Sequence, residues 1–112
     1  MPHIVAEYSA NLVGRVDIPD LVRGLHAALA GAGVDETRIK TRAVRIDDYV
    51  LGGGKTAMIH VTLSLLTGRD EATRVAYGTA LHTCLKAKAA ALGDICALTL
   101  EVREMTRETY FL

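Results

Sequence analysis

Hydrophobic and polar residues alternate along several stretches of the chain, and this period of two predicts β-strands. The first stretch places Ile4 and Ala6 on one face and Val5 and Glu7 on the other. Two later stretches alternate in the same way, and a further one is rich in β-branched residues, which favour strands. The predicted strands cover residues 2–8, 37–50, 56–66 and 97–105.

Apolar residues recur at helical spacing in two stretches between the strands. The first predicted helix starts at Asp17, a typical N-cap residue, has Pro19 in its first turn and ends near Gly31. The second is predicted to start with Thr67 as its N-cap and to run to about Leu92.

The predicted order of elements is β-α-β-β-α-β, which makes the fold class α+β. Residues 1–112 are expected to form a single domain in which two β-α-β halves share one sheet. Each crossover helix must pack on one face of that sheet. We expect the other face to carry many apolar side chains without a helix to cover them, so oligomerisation is the natural cover.

Composition excludes several classes of protein. Thirteen basic and thirteen acidic residues cancel, so the chain lacks the positive charge expected of a nucleic-acid-binding protein. Cys84 and Cys96 have neither metal-ligand spacing nor a disulfide framework around them, and the four histidines are scattered. No signal peptide is evident, and no apolar run is long enough to cross a bilayer. We therefore expect a cytoplasmic protein with no metal, and no nucleic acid or membrane as a partner.

Pro2 is the first candidate for chemistry. Initiator methionine is commonly removed when proline follows it, and Pro2 would then carry a free secondary amine at the start of a strand. An ordinary α-amino group titrates at about 7.7–8.0, and partial burial or nearby cations favour its neutral form. Such an amine could act as a general base near neutral pH. The alternative is a proline with no chemical role, since proline at this position is common.

Cations are the second candidate feature. Arg38, Lys40 and Arg42 are predicted to lie on one face of the second strand, with neighbours about 7 Å apart. This row could bind a carboxylated substrate, or it could be a solvated edge that discourages strand pairing. Arg69 is predicted in the first turn of the second helix, where free N–H groups and a guanidinium would converge on an anion. The alternative for Arg69 is an ion pair with Asp70 or another nearby polar side chain.

Five short motifs occur together in one order and spacing. They are Pro2-His3-Ile4-Val5 with Glu7, Asp17-Ile18-Pro19-Asp20-Leu21, Ile39-Lys40-Thr41-Arg42, His60-Val61-Thr62-Leu63, and Gly68-Arg69 with Arg74. With these motifs in this order and spacing, the chain resembles the 5-carboxymethyl-2-hydroxymuconate isomerase family of the tautomerase superfamily over nearly its whole length. Each motif is short, and their order and spacing carry the resemblance.

The resemblance implies a β-α-β-β-α-β protomer assembled as a homotrimer, with no cofactor. It implies that Pro2, freed by removal of Met1, is the general base that moves a proton between two carbons of a small unsaturated 2-hydroxy carboxylic acid in aromatic catabolism. Arg69 would be catalytic, and Lys40 and Arg42 would bind the substrate carboxylates. The family usually has arginine where Lys40 stands, so either Arg42 serves in its place or the substrate preference differs. A retained Met1 would leave Pro2 as an amide nitrogen and block this mechanism.

Two other functions stay open. One is another tautomerase-superfamily activity, such as phenylpyruvate-type tautomerisation. The other is a non-catalytic trimeric protein that binds small acids. Retention or removal of Met1 separates this binding protein from the enzymes, because only the free amine of Pro2 is basic.

Overall fold

A four-stranded sheet with two helices on one face makes up the structure, a computed structural model that describes residues 1–112. The strands are β1 (His3–Ser9), β2 (Lys40–Ile46), β3 (Ala57–Leu66) and β4 (Cys96–Met105), and the helices are α1 (Ile18–Gly31) and α2 (Glu71–Lys88). Short 3₁₀ segments cover Ala10–Leu12, Glu36–Arg38, Ala90–Ile95 and Arg107–Thr109. The predicted order β-α-β-β-α-β and the α+β class are confirmed.

The sheet joins two β-α-β halves through its central strands. The strand order is β2-β1-β3-β4; β1 is parallel to β2, β3 is parallel to β4, and β1 runs antiparallel to β3. A helical crossover returns the chain to the same end of the sheet, so each half contains a parallel pair. The antiparallel junction then brings the beginnings of β1 and β2 beside the ends of β3 and β4. We call this side the Pro2 end of the sheet, and the opposite side the Ser9 end.

Alternation along the strands and the apolar stripes of the helices produce one hydrophobic core. Ile4 and Ala6 of β1 are completely buried, whereas Val5 between them is only half-buried. In β3 every second residue is buried in the same way, namely Ala57, Ile59, Val61, Leu63 and Leu65. The helices add Leu21, Leu25 and Leu29 from α1 and Tyr77, Leu81 and Leu85 from α2. The apolar faces that the strand alternation and the helical spacing create thus pack against each other between the sheet and the helices.

The start of α2 differs from the prediction, which made Thr67 its N-cap. Asp70 is the N-cap instead, and its Oδ1 accepts a hydrogen bond from the Thr73 backbone N–H at 2.8 Å. Gly68 has a φ of 127°, so the turn before Asp70 cannot be helical. Arg69 consequently precedes the helix rather than lying in its first turn.

The start of β2 also differs from the prediction. Asp35 caps a 3₁₀ turn by accepting a hydrogen bond from the Thr37 backbone N–H at 3.0 Å, and the strand begins only at Lys40. Arg38 lies in that turn. The predicted row of three cations on one strand face therefore retains only Lys40 and Arg42.

Two elements end earlier than predicted. Helix α2 ends at Lys88 rather than near Leu92, and β2 ends at Ile46 rather than at residue 50. A 3₁₀ segment replaces the last predicted turn of α2, and within it Gly93 adopts a φ of 59°, which turns the chain out of the helix and towards β4. These differences leave the order of the elements unchanged.

The sheet face without helices carries both apolar and polar side chains, so the predicted apolar residues are present but are outnumbered by polar ones. Its apolar members are Val5, Val44, Ile46, Met58, Leu66, Ala97 and Met105, and the others are His3, Glu7, Ser9, Lys40, Arg42, His60, Thr62, Ser64, Thr99, Glu101 and Arg103. Most of the larger apolar residues of the strands pack against α1 and α2, because alternation gives the strands one more apolar and one more polar face. The covering of this face by an oligomer stays a prediction.

Both cysteines carry free thiols, with Cys84 half-buried in α2 and Cys96 buried at the start of β4. Burial raises the pKa of both thiols, which keeps them protonated and unreactive near neutral pH. Neither helix combines the length and the apolar character needed to cross a membrane. The location of the protein in the cell stays a prediction.

Candidate active site

Pro2 directly precedes β1, at the end of the sheet where four chain segments meet. It is buried just before β1, and its carbonyl oxygen accepts a hydrogen bond from the Lys40 backbone N–H at 3.0 Å. Strands β3 and β4 run parallel and end side by side, so the chain that leaves them carries Arg69 and Arg107 to the same place. Arg38 reaches it from the 3₁₀ turn before β2. The topology of the sheet therefore gathers residues that are far apart in sequence.

A cavity of about 270 Å³ opens at this end, and we call it the Pro2 cavity. Its lining consists of Met1, Pro2, Val34, Asp35, Arg38, Leu66, Arg69 and Arg107. A second depression of about 270 Å³ shares Met1 and Arg38 with it and adds Lys40. The two together have the size of a small-molecule site rather than a macromolecular one.

Positive charge dominates the Pro2 cavity. Three of its lining residues are arginines, whereas Asp35 is its one carboxylate. The Arg38 Nε lies 3.7 Å from Asp35 Oδ2, but Arg69 and Arg107 form no ion pair with any carboxylate. Hydrogen bonds from Thr37 hold the pKa of Asp35 below its ordinary value, so this residue is ionised and offsets only one of the cations. Such a cavity favours an anionic ligand.

The N-terminal amine lies among these cations. The Met1 amine donates a hydrogen bond to the Arg38 carbonyl oxygen at 2.7 Å, and Lys40 Nζ donates to the same oxygen at 3.3 Å. Burial and then the charge of Lys40, with smaller contributions from Arg38 and Arg69, lower the pKa of this amine. An amine at this position is therefore neutral at lower pH than an ordinary α-amino group.

Arg69 contacts an aromatic ring instead of a carboxylate. Its guanidinium carbon lies 5.8 Å from the centroid of the Tyr77 ring, within the range of a cation–π interaction. Asp70, the nearest acidic residue in sequence, is occupied as the N-cap of α2. The alternative in which Arg69 forms an ion pair with a neighbouring side chain is thus not what the structure shows.

Sequence reasoning missed Arg107. Its Nη2 donates a hydrogen bond to the Thr67 carbonyl oxygen at 3.0 Å, which fixes the guanidinium beside the chain segment that carries Arg69. The signal that could have identified Arg107 is its position in the predicted fold. It follows the last strand in the same way as Arg69 follows β3, and these two strands are the parallel pair of the second half.

Arg42 lies on the helix-free face of the sheet and contacts His3 instead of the Pro2 cavity. Its Nη1 donates to His3 Nδ1 at 3.2 Å, and because a guanidinium has only donors, His3 must accept with Nδ1 and carry its proton on Nε2. That Nε2–H donates to the Tyr110 hydroxyl oxygen at 2.8 Å. Burial, followed by the charges of Arg42 and Lys40, lowers the pKa of His3, which keeps the imidazole neutral. Arg42 therefore does not line the Pro2 cavity.

The remaining histidines with polar contacts serve local structure. His26 Nδ1 shares a hydrogen bond of 2.8 Å with Thr41 Oγ1, and His60 Nδ1 shares one of 2.7 Å with Thr99 Oγ1. Each of these bonds ties a neighbouring element to an edge strand. No three histidine, cysteine or acidic residues come together as a group that could hold a metal ion.

Comparison with known proteins identifies the family of this chain. The family model described as 5-carboxymethyl-2-hydroxymuconate isomerase matches residues 2–111. The chain belongs to the 5-carboxymethyl-2-hydroxymuconate isomerase family. It is 30% identical over 110 residues to 5-carboxymethyl-2-hydroxymuconate Delta-isomerase from Escherichia coli, with 94% of this chain and 87% of that protein covered. It is accordingly an isomerase, and the predicted family is confirmed.

Two solved structures support the fold of this isomerase. The crystal structure of a 5-carboxymethyl-2-hydroxymuconate delta-isomerase matches with a TM-score of 0.86 at 24% identity, covering 100% of this chain and 87% of that one. The symmetric trimer of a wild-type fused 4-OT matches with a TM-score of 0.72 at 16% identity, covering 98% of this chain and 90% of that one. At these identities both matches concern the fold alone, and that fold is tautomerase-like.

The structure of this isomerase family member brings together some of the predicted site residues and separates others. Pro2 and Arg69 line the Pro2 cavity, and Lys40 lines the adjoining depression. Arg42 contacts His3 and lines neither of the two. Arg107, which was not predicted, lines the cavity with them.

Proposed function

We propose that this isomerase moves a proton on a small unsaturated 2-hydroxy carboxylic acid, similar to 5-carboxymethyl-2-hydroxymuconate, without a cofactor and with Pro2 as the general base. The observation that carries the proposal is the position of Pro2 in a cavity lined by three arginines, next to a Met1 amine whose pKa is lowered by burial and by Lys40. A base needs a neutral amine at working pH, and the same cations that lower the amine pKa also attract the acidic substrate.

The reaction requires that Met1 be removed, because Pro2 otherwise has an amide nitrogen. The free Pro2 nitrogen takes the proton of the 2-hydroxyl group of the substrate and becomes a secondary ammonium. The electron pair left on the oxygen spreads over the conjugated system as a dienolate. The ammonium then gives its proton to a carbon of this dienolate, which turns the C–O⁻ group into a carbonyl, shifts the double bond and regenerates the base. Protons and electrons balance without an added oxidant or reductant.

In this proposal Arg69 stabilises the developing negative charge. Its guanidinium has no carboxylate partner in the chain, and the Tyr77 ring supports it from one side. Electrostatic stabilisation by such a fixed cation is stronger in a partly dry cavity than in water. Lys40 supplies a further charge for a substrate carboxylate, although as a point charge rather than a bidentate fork. Arg42 would take part only through a rearrangement of its contact with His3.

The proposal includes assembly as a homotrimer. Support comes from the trimeric fused 4-OT, whose fold this chain shares. The two outer strands of the sheet, β2 and β4, have unpaired edges in the single chain, and an edge of this kind can pair with a neighbouring subunit. The helix-free face would then be covered through hydrogen bonds and charges rather than by apolar packing alone. The proposed setting is aromatic catabolism.

An ultraviolet assay with intact-mass analysis tests the function. Purified protein shown to lack Met1 should convert a 2-hydroxymuconate-type dienol faster than buffer does. The matched control is the same chain with one extra glycine left before Pro2, which turns the basic nitrogen into an amide. Equal conversion by both proteins would contradict a role for the proline amine. No conversion by the chain without Met1 would favour the alternative of a non-catalytic protein that binds small acids.

A further inference from the structure

We infer that Arg107 binds a second carboxylate of a substrate that carries more than one, and that Gly68 is the residue that allows it to do so. This rests on the proposed function, because it concerns the ligand of the same cavity. It adds a specificity-determining residue in the C-terminal segment to the site formed by Pro2 and Arg69.

The Arg107 guanidinium is held in place and still has donors to offer. Only its Nη2 hydrogen bond to the Thr67 carbonyl oxygen, at 3.0 Å, engages it within the chain. A guanidinium has five N–H donors in a planar fork, so most of them stay available. Arg107 is exposed, lines the Pro2 cavity and forms no ion pair. A carboxylate could therefore bind to it without displacing an existing partner.

Gly68 determines how closely Arg107 approaches the Thr67 carbonyl. Its φ of 127° lies in a region that side chains disfavour, and a Cβ built on it would lie 3.3 Å from Arg107 Nη2. An alanine at this position would therefore strain the turn and push the guanidinium outward. The turn that carries Arg69 is thus also the surface against which Arg107 rests.

The C-terminal segment that carries Arg107 is attached to the beginning of β1. Arg107 opens the 3₁₀ turn Arg107–Thr109, and the next residue, Tyr110, accepts the hydrogen bond from His3 Nε2 at 2.8 Å. The His3 and Tyr110 rings also meet edge to face, with centroids 5.8 Å apart. Because His3 directly follows Pro2, these contacts hold Arg107 in a constant position relative to the proposed base.

The number of uncompensated charges indicates a diacid. Arg69 and Arg107 are two separate guanidiniums without carboxylate partners in one cavity, and Lys40 lies next to it. One carboxylate can form a bidentate pair with only one guanidinium at a time. With Arg69 assigned to the developing dienolate charge, Lys40 and Arg107 remain for carboxylates. A monocarboxylic substrate would leave one of these two cations without an anion, whereas a second carboxylate would pair with it.

Kinetics on a matched pair of substrates tests the role of Arg107. The dicarboxylic 2-hydroxymuconate is compared with the monocarboxylic enol of phenylpyruvate, for the wild type, Arg107→Ala and Arg107→Lys. Loss of a charged hydrogen-bond donor should lower kcat/KM for the diacid by about 10- to 100-fold more than for the monoacid, mainly through KM. Arg107→Lys should recover part of this difference. The control Arg23→Ala, an exposed arginine of α1 remote from the cavity, should leave the ratio of the two substrates unchanged.

Gly68→Ala should reproduce the selective loss on the diacid, because it displaces the Arg107 guanidinium. Circular dichroism and thermal unfolding verify that each variant is folded. A loss of equal size on both substrates, or no loss on either, in a folded Arg107→Ala would overturn the inference.

Direct binding keeps the inference testable when the wild type turns over neither substrate. Calorimetry with the diacid cis,cis-muconate and the monoacid sorbate measures affinity without chemistry. Preferential binding of muconate that disappears in Arg107→Ala would support the inference even though the proposed reaction had failed. Equal affinities of wild type and Arg107→Ala for muconate would overturn the inference, whatever the catalytic result.

Discussion

The Pro2 end and the Ser9 end of the sheet have the same topology, yet their polar groups are arranged differently. At the Ser9 end, Ser9 Oγ accepts a hydrogen bond from the Met58 N–H at 3.0 Å and donates to Asn11 Oδ1 at 2.7 Å, while Asn11 Nδ2 donates to the Thr56 carbonyl oxygen at 2.7 Å. Every member of this set finds its partner within the chain, and Ser9 is completely buried.

At the Pro2 end, by contrast, the guanidinium groups of Arg69 and Arg107 lack partners of opposite charge. Arg69 rests on the Tyr77 ring, and Arg107 is attached only to the Thr67 carbonyl oxygen. Several cations around one amine repel each other, which costs stability unless an anion binds. One end of the sheet thus satisfies its polar groups within the fold, whereas the other leaves positive charge uncompensated, which suits the proposed anionic substrate.

The largest expected effect comes from Pro2→Ala. Alanine leaves a primary amine without the ring that orients the lone pair, so the proposed proton transfer loses its positioned base. General base catalysis is typically worth about 10²–10⁴-fold, and we expect a loss of kcat within that range. Steady-state kinetics on a 2-hydroxymuconate-type dienol, with intact mass to verify removal of Met1, measures it. An unchanged kcat would remove Pro2 from the mechanism and weaken the contrast between the two ends.

Arg69→Ala should have the next largest effect. Removing one preorganised donor to a developing oxyanion commonly costs about 10²–10³-fold in kcat, and Arg69 is the cation proposed for that position. Arg69→Lys should fall between the wild type and the alanine variant, because it retains charge but loses the planar fork. Both are compared by steady-state kinetics with Arg23→Ala. A loss confined to thermal stability, with kcat and KM unchanged, would instead assign Arg69 to the fold.

Ser9→Ala, unlike the two preceding changes, should lower the stability of the fold and leave the activity unchanged. It removes the acceptor of the buried Met58 N–H, so the free energy of unfolding should fall by about 1–3 kcal/mol. Because the change lies at the other end of the sheet, kcat per folded molecule should stay at the wild-type value. Urea denaturation and kinetics on the same samples measure the two quantities. A reduced kcat in fully folded protein would show that the two ends are coupled.

Lys40→Gln should have the smallest effect, a shift in the pH profile. Burial and then the charge of Lys40 lower the pKa of the Met1 amine, and the same charge lies close to the Pro2 nitrogen that removal of Met1 would free, so the loss of Lys40 should raise the pKa of that nitrogen. A general base is active when deprotonated, and the acid limb of kcat/KM should therefore move to higher pH. Arg42→Gln is the control, because Arg42 contacts His3 and is not among the cations that lower the amine pKa. A shift of the same size in both variants would contradict this assignment.

The sequence by itself determined the elements and their faces. The alternation in β1 and β3 and the helical stripes of α1 and α2 predicted which residues are buried, since these patterns depend only on the local geometry of strands and helices. It also singled out Pro2 and Arg69, and its motifs indicated the family. Its local errors occurred where a short side-chain cap competes with a longer element, as with Asp70 before α2 and Asp35 before β2.

Only the tertiary structure decided which residues meet. The antiparallel junction between β1 and β3 brings the start of one half of the chain beside the end of the other, so Pro2 and Arg107, which lie at opposite ends of the sequence, line one cavity. Arg42 shares its sheet face with Lys40, yet its guanidinium contacts His3 whereas Lys40 lines the depression beside the Pro2 cavity. Contacts of this kind depend on strand order, register and the direction in which each strand leaves the sheet, and no local pattern of residues encodes them.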